Sequence, residues 1–532
     1  MNTSICLSSG DQYNADIVSD KNGGAFIAWV DERNSSLQAD IFVQKINSTG
    51  FIQWTVNGVS ACIEGNNQAA VAITGDGNGG IFLVWNDFRS GDRDVYAQSI
   101  DSLGAIRWAM NGVPVCTKPF DQRTPKIKND GNGNLLIVWE DSTSLNNYDI
   151  YAQKLNSTGT PAWTAGGVII CSATGLQEVA RIENDSTDGA IIIWQDARSG
   201  TDYDIFAQHI NNAGVEQWAA NGVLVSGAAN SQKNPKMKSD GQGGAIIAWQ
   251  DSRNNGTDTS GIYLQRVDAT GQMLWTANGV PGCTAIGNQT QIDMTDSGIN
   301  GVIISWRDKR GGVDNDIYAQ LIDLNGTPAW TQNGIAISNA IHNQANPSIC
   351  GDGASGAIIC WEDERNGLFD IYSQRINTAG QVIWQANGVI VGNAADDQLA
   401  SKNISDGNGG SIYTWEDNRN GNDLNIYAHH LFQDGNPVLS LSENKYSKSV
   451  NAFVFPNPVK ANSCLQIEGF VFAGEYLNLT IYNSFGQIVL QQEIRNLSNP
   501  LNTEGLSGGL YGFSLENIQG ISVSGKFIVA GE

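Results

Sequence analysis

The stretch SDGQGGAIIAWQD, residues 239–251, sets a glycine-rich turn before an unbroken apolar run that ends in Trp-x-Asp. An apolar run without alternation predicts a strand buried on both faces. Variants recur along the chain as SDKNGGAFIAWVD, GDGNGGIFLVWND, GDGASGAIICWED and SDGNGGSIYTWED. Ahead of the turn lies a short mixed segment such as NPKMKSD, and beyond the run come a segment of the type DIYSQRIN and a last one such as NGVPVC. Each copy therefore predicts four short strands joined by Gly, Asn and Asp turns.

The tryptophans set the register. Trp29, Trp85, Trp139, Trp194, Trp249, Trp306, Trp361 and Trp415 stand 54 to 57 residues apart. Each has an aspartate two residues later, Asp31 through Asp417, and a glutamine seventeen residues earlier, Gln12 through Gln398. A second series, Trp54, Trp108, Trp163, Trp218, Trp275, Trp330 and Trp384, has Leu439 in its eighth place, and the two series account for all 15 tryptophans. Four strands cannot cover both faces of their own sheet, so the copies must stack on one another. Eight closing radially predict an all-β chain dominated by an eight-bladed β-propeller, with an open solenoid as the alternative. Closure has a signature in the phase of the repeat. Cys6 lies six residues before Gln12 as Cys62 lies six before Gln68, while the eighth copy stops near Leu439 without its fourth segment. Residues 2–7 are therefore expected to complete the last blade and remove an exposed sheet edge.

Charge narrows the partners. The 532 residues carry a net charge of −24, which disfavours nucleic acid and anionic membrane as partners. No apolar run approaches the roughly 20 residues of a transmembrane helix. Met1–Gly10 has neither the basic start nor the hydrophobic core of a signal peptide.

Composition changes near Ser440, after which no Trp or His occurs. The expected organisation is a propeller over residues 1–440, a linker over 441–452 (from SLSENKYSKSVN) and a small β-sandwich over 453–532. The last part carries Phe455-Pro456-Asn457-Pro458, then Ile481-Tyr482-Asn483 with Gly486-Gln487, then LSGGLY from Leu506 to Tyr511, then Lys526-Phe527-Ile528-Val529. In these residues it resembles the C-terminal sorting domain of the type IX secretion system of Bacteroidota. The resemblance implies recognition of residues 453–532 by the outer-membrane secretion machinery, and release or anchoring of the passenger at the cell surface. It also implies an earlier inner-membrane signal, so the N-terminus is expected to be trimmed or truncated.

Each candidate for chemistry in the repeat also has a plain structural role. In Trp-x-Asp-x-Arg, Arg33, Arg89, Arg198, Arg253, Arg310, Arg365 and Arg419 follow the Trp by four residues, with Thr143 in the third copy. A motif present in every copy reads as an ion pair that builds the blade, made between blades or between turns. The repeated Gln reads as an amide that satisfies backbone groups between blades. The Asp-Gly-x-Gly-Gly turns, as at Asp76–Gly80 and Asp240–Gly244, offer oxygens to Ca²⁺ but lack the spaced ligands of a dedicated loop, and no metal or other cofactor is assigned. Five cysteines, Cys6, Cys62, Cys116, Cys171 and Cys283, share one phase and read as buried thiols; Cys350 and Cys360 face across one hairpin and are expected to stay reduced. Four histidines fall in no metal-binding pattern, and His429, in the place of a repeated Gln, breaks the symmetry.

One irregular set remains. If the first strand of each copy lines the channel, the residues either side of Ile17, Ile73, Ile127, Ile182, Met237, Met294, Ile349 and Asn403 face its lumen. These positions hold six basic residues, Lys126, Lys128, Arg181, Lys236, Lys238 and Lys402, and three acidic ones, Asp16, Glu183 and Asp293. A funnel of one charge sign concentrates the opposite charge. The six basic residues are thus candidate ligands for an anionic glycan in a secreted, non-enzymatic binding or adhesion protein. The alternatives are a polysaccharide-degrading propeller (hydrolase or lyase), with acid–base work on Asp16, Glu183 or Asp293, and a structural envelope component. The asymmetry an enzyme needs is expected near the loops NNGTDTSG, residues 254–261, or STSLNNY, residues 142–148.

Overall fold

The computed structural model describes residues 2–437 apart from 36–37, 145–146, 254–258 and 299–300. Beyond them it describes 453–455, 459–460, 464–468, 477–483, 488–494, 501–502, 506–517 and 522–530. The chain divides into two compact units, Met1–Leu439 and Ser440–Glu532. The expected linker, residues 441–452, and Leu439 lie outside the described residues.

The described residues of the first unit form eight four-stranded antiparallel sheets. In blade one, β2 (Gln12–Ser19), β3 (Ala25–Ser35), β4 (Gln38–Ile46) and β5 (Val59–Cys62) pair in chain order. Blade eight has only three strands of its own, Gln398–Ser405, Ser411–Asp417 and Asn425–Leu431. Its fourth is β1 (Thr3–Cys6), antiparallel to the third, with Thr3 opposite Ala428 and Cys6 opposite Ile426. The first strands of successive blades touch in a closed circuit, that of blade eight meeting β2, so the first strand walls the channel and the ring is an eight-bladed propeller.

Second strands such as Ile81–Asp87 and Ala190–Asp196 are buried along their whole length, as unbroken apolar runs require, because each blade stacks on two neighbours. Hydrophobic clusters accordingly span two blades: Leu83 and Trp85 of blade two pack with Val30, Ile41 and Val43 of blade one. All eight Trp-x-Asp tryptophans are fully buried. Gly58, at φ 85°, shows why a glycine follows in the fourth segment, since a Cβ there would stand 2.5 Å from Trp29 Cη2. The second tryptophan series bolts blade to blade: each indole Nε1 donates to a carbonyl of the next blade at 2.8–3.4 Å, from Trp54 to Ser102 O and on to Trp384 to Gln433 O.

The second unit has two sheets that make a small β-sandwich. One orders Phe453–Phe455, Cys464–Glu468 and Leu501–Asn502. The other orders Val459–Lys460, Ser522–Ala530, Gly509–Asn517, Leu477–Tyr482 and Ile488–Ile494, antiparallel except for its first pair. Leu479, Ile481, Tyr511, Phe513, Phe527 and Val529 are buried in it.

Candidate functional site

The repeated residues are saturated with partners. In blade one the buried Asp31 carboxylate accepts from Trp29 Nε1 at 2.7 Å, from the Arg33 backbone N–H at 2.9 Å, and from Arg33 Nε and Nη2 at 2.8 and 2.6 Å. Arg33 also donates to Asn57 O and lies 3.5 Å above the Phe42 ring. The same arrangement recurs at Arg89, Arg198, Arg253, Arg310, Arg365 and Arg419. The ion pair expected between blades or turns is made instead by residues two apart, because a bidentate fork closes that short span without distortion. Its link between blades is the thiol: Arg33 Nη2 donates to Cys6 Sγ at 3.3 Å. Burial pushes the Cys6 thiol up to about 11, so it stays protonated. The seven cysteines of the first unit are free; Cys350 stands opposite Ile358 and Cys360 opposite Ser348. Blade three lacks the arginine, and Lys118 from the preceding connection lies 3.9 Å over the Tyr151 ring instead. There burial raises the Asp141 carboxyl, with Trp139 and Lys118 opposing.

The repeated Gln does reach backbone carbonyls where one blade crosses to the next: Gln12 Nε2 donates to Gly10 O at 2.6 Å and Ser8 O at 3.2 Å. The glycine-rich turns hold their aspartates with protein groups. Asp240 Oδ1 accepts the Gln242 and Gly244 amides, and its Oδ2 accepts from Arg266 at 2.9 Å. Arg375–Asp352, Lys154–Asp130 and Lys45–Asp20 repeat the pair. His209–Asp185 at 2.7 Å and His430–Asp406 at 2.9 Å do so with imidazole. Turn oxygens offered to Ca²⁺ in the sequence are thus engaged by amides and cations. Among the described residues no three His, Cys, Asp or Glu side chains converge as a metal site.

The channel ring is irregular. Ile17, Ile73, Ile182, Met237, Met294, Ile349 and Asn403 turn into the blade packing, while the six candidate basic residues are half-buried. Three of these are matched to the three acidic ones across blade boundaries: Lys402–Asp16 at 2.9 Å, Lys236–Asp293 at 3.1 Å and Lys128–Glu183 at 2.6 Å. Lys238 reaches Glu183 only at 4.0 Å. Among the described residues Lys126 and Arg181 make no ion pair; Arg181 Nη1 donates to the Ala180 carbonyl at 2.9 Å. Burial first, then the Arg181 charge, pushes Lys126 down to about 8. Not every position expected to face the lumen does so: Val18 packs into the cluster between blades one and two, Thr295 is buried, and Cys350 packs between blades seven and eight.

The sequence reading missed the mouth of the channel. Each first strand bulges at a residue with φ between 50° and 57°, from Asn14 through Val179 to Ala400. For β-branched Val179 and Thr124 that conformation is strained and needs outside support. In five blades support comes from the residue after the Trp of the preceding blade: Glu140 accepts the Val179 amide, Glu362 that of Ala400 and Glu416 that of Asn14, each at 2.7 Å, and Asn86 and Gln195 serve Thr124 and Asn234. Glu140 is also paired with Arg123 at 2.8 Å, and Glu362 accepts from Asn346 at 2.8 Å. Burial raises the carboxyls of Glu362 and Glu416. Seven of the eight residues after the Trp are polar inside an apolar strand, which was the available signal. A polar cavity of about 220 Å³, lined by Lys233, Gln250, Thr259 and Asn288 among others, adjoins blade five's insertion; residues 254–258 of that loop, and 145–146 of blade three's, lie outside the described residues.

Comparison with known proteins speaks to the C-terminal part. Residues 453–530 match the family described as Secretion system C-terminal sorting domain. This is the type IX sorting domain expected from the motifs above, and the protein is secreted or displayed on the cell surface. Among the described residues no helix is long and apolar enough to cross a membrane. No curated protein matches the chain. Similar solved structures include a PL25 ulvan lyase bound to -[GlcA(1-4)Rha3S]-, at 11% identity and TM-score 0.45, covering 82% of this chain and 97% of that one. Others are an endo-arabinase from Bacteroides thetaiotaomicron, at 14% identity, TM-score 0.27, covering 52% of this chain and 97% of that one, and an α-L-arabinanase from Penicillium chrysogenum, at 11% identity, TM-score 0.33, covering 58% and 92%.

Proposed function

We propose that the propeller is an extracellular binding module for an anionic glycan, taken up at its central channel. The observation that carries this reading is the charge left after pairing. Lys402, Lys236 and Lys128 each neutralise one carboxylate, so the local excess falls on Lys126, Arg181 and Lys238 of blades three, four and five. Unmatched, half-buried cations are costly unless an anion joins them. Acidic polysaccharide is an extracellular ligand of suitable charge for an exported protein, and an array of acidic glycans tests the idea. Wild-type protein binds, and Lys126→Glu/Arg181→Glu/Lys238→Glu does not; equal binding by both, or none by wild type, refutes it.

A second reading, cleavage of the bound polysaccharide, is favoured by Glu416 at the mouth. One of its oxygens accepts the Asn14 amide, and burial raises its carboxyl against the pull of that amide and of Lys402, the direction a general acid needs. Asp16, Glu183 and Asp293 serve this poorly, since each is committed to a lysine. Release of new chain ends from an acidic polysaccharide by wild type, lost in Glu416→Gln while binding persists, would establish cleavage; unchanged chain length would exclude it.

A further inference from the structure

We infer that Lys126 and Arg181, side by side on the first strands of blades three and four, seat a single oxyanion group of the ligand. The inference rests on the binding reading above and assigns it to two residues. Every carboxylate of the channel ring is already claimed by another lysine. Around Lys126 the facing charges are Arg181, Asp16, Lys402 and Lys236, of which Asp16 is held by Lys402 at 2.9 Å. Blade two contributes uncharged Ala72 and Thr74, and blade four contributes Glu183, which is held by Lys128 at 2.6 Å. Arg181 faces the carboxylates of Glu140 and Asp293, which are held by Arg123 at 2.8 Å and by Lys236 at 3.1 Å, and has the carbonyl of Ala180 as its hydrogen-bond partner among the described residues. A guanidinium fork beside an ammonium group is the donor set that takes two oxygens of a sulfate, phosphate or carboxylate together.

The seat is coupled to protons. With Lys126 pushed down to about 8 by burial and by Arg181, an arriving anion restores its charged form. Binding near pH 8 should therefore take up about half a proton, and affinity should fall as pH rises from about 7 to 9.

Calorimetry on the full chain tests this with sodium sulfate, sodium phosphate, glucuronate and a 6-sulfated hexose, which separates a free ion from a uronate or a sulfate ester. Lys126→Met and Arg181→Gln should each weaken binding by about tenfold, while Lys402→Met, which removes a paired lysine, stays within about twofold. Lys126→Met should also abolish the proton uptake, a readout that mere loss of packing would not move. Circular dichroism melts confirm that each variant is folded. Equal affinity of Lys126→Met and wild type, or an equal loss in Lys402→Met, overturns the seat. If Lys238→Met alone abolishes glycan-array binding, the channel still binds and the seat is wrong; if wild type binds no anion at all, both proposals fail.

Discussion

The Trp-Asp-Arg clusters and the channel ring use the same residue types to opposite effect. In the clusters one buried aspartate collects an indole, a backbone amide and both arms of a guanidinium, and the pattern is copied around the ring. In the channel, neighbouring blades differ and lysines reach across to whichever carboxylate is near, which leaves Lys126 and Arg181 without an ion pair and Lys238 only 4.0 Å from a carboxylate already held by Lys128. A bond repeated in every blade stabilises the repeat and cannot distinguish one ligand from another. Specificity has to come from positions where the blades disagree.

That contrast can be broken or sharpened by substitution. The largest effect is expected from Trp249→Ala, which removes a fully buried indole and should cost about 4 kcal/mol in denaturant titration. Trp85→Ala and Trp361→Ala should cost nearly the same, because the clusters are equivalent; a strong dependence on blade would break the comparison. Asp352→Ala strips the partner from Arg375 and two turn amides, and should cost roughly 2–3 kcal/mol. Lys118→Met, in the one blade whose cation comes from elsewhere, should cost about 1 kcal/mol and raise Asp141 further.

A smaller effect concerns pH. Asp316 faces Asp308 across its hairpin, and burial with that charge raises it to about 6. The native state then binds more protons than the unfolded chain between pH 4 and 6, taking the ordinary Asp value as about 3.9. Stability should therefore decline as pH rises through that window, and Asp316→Asn should flatten the decline in melts recorded at several pH values. Smallest is Lys126→Met, which should leave stability unchanged or slightly raised at pH 7, the opposite sign to every cluster substitution.

The period and the Trp-x-Asp phase were enough to read the propeller, including the closing strand, because both depend on features that recur in each copy. Pairings that change from blade to blade were harder to read. In five blades the cation that holds the turn aspartate follows another recurring Gln, that of the third strand, as in Gln44-Lys45, Gln265-Arg266 and Gln374-Arg375, and its identity varies; in blade two Ser99 takes that place and Arg107 holds Asp76 instead. In blade six both partners are missing together: Ser297 stands where the aspartate would be and Leu321 where the cation would be. Attention to His429 missed its neighbour His430, which makes the turn pair. The channel's positive excess is legible as a charge count, but that Asp16 cancels Lys402 and that the excess falls on Lys126, Arg181 and Lys238 depends on which side chains meet across blade boundaries. The mouth glutamates escaped because a buried apolar strand was read as apolar throughout, whereas its residue after the Trp supports a bulge in the next blade.

The central claim is that irregular, unneutralised channel cations are where this protein meets a ligand. Crystals grown in sodium selenate and measured at the selenium edge put that to the test. The account predicts an anomalous peak within hydrogen-bonding distance of both Lys126 and Arg181 and none beside the paired Lys402; a channel free of selenate, with peaks only on the outer surface, would contradict it.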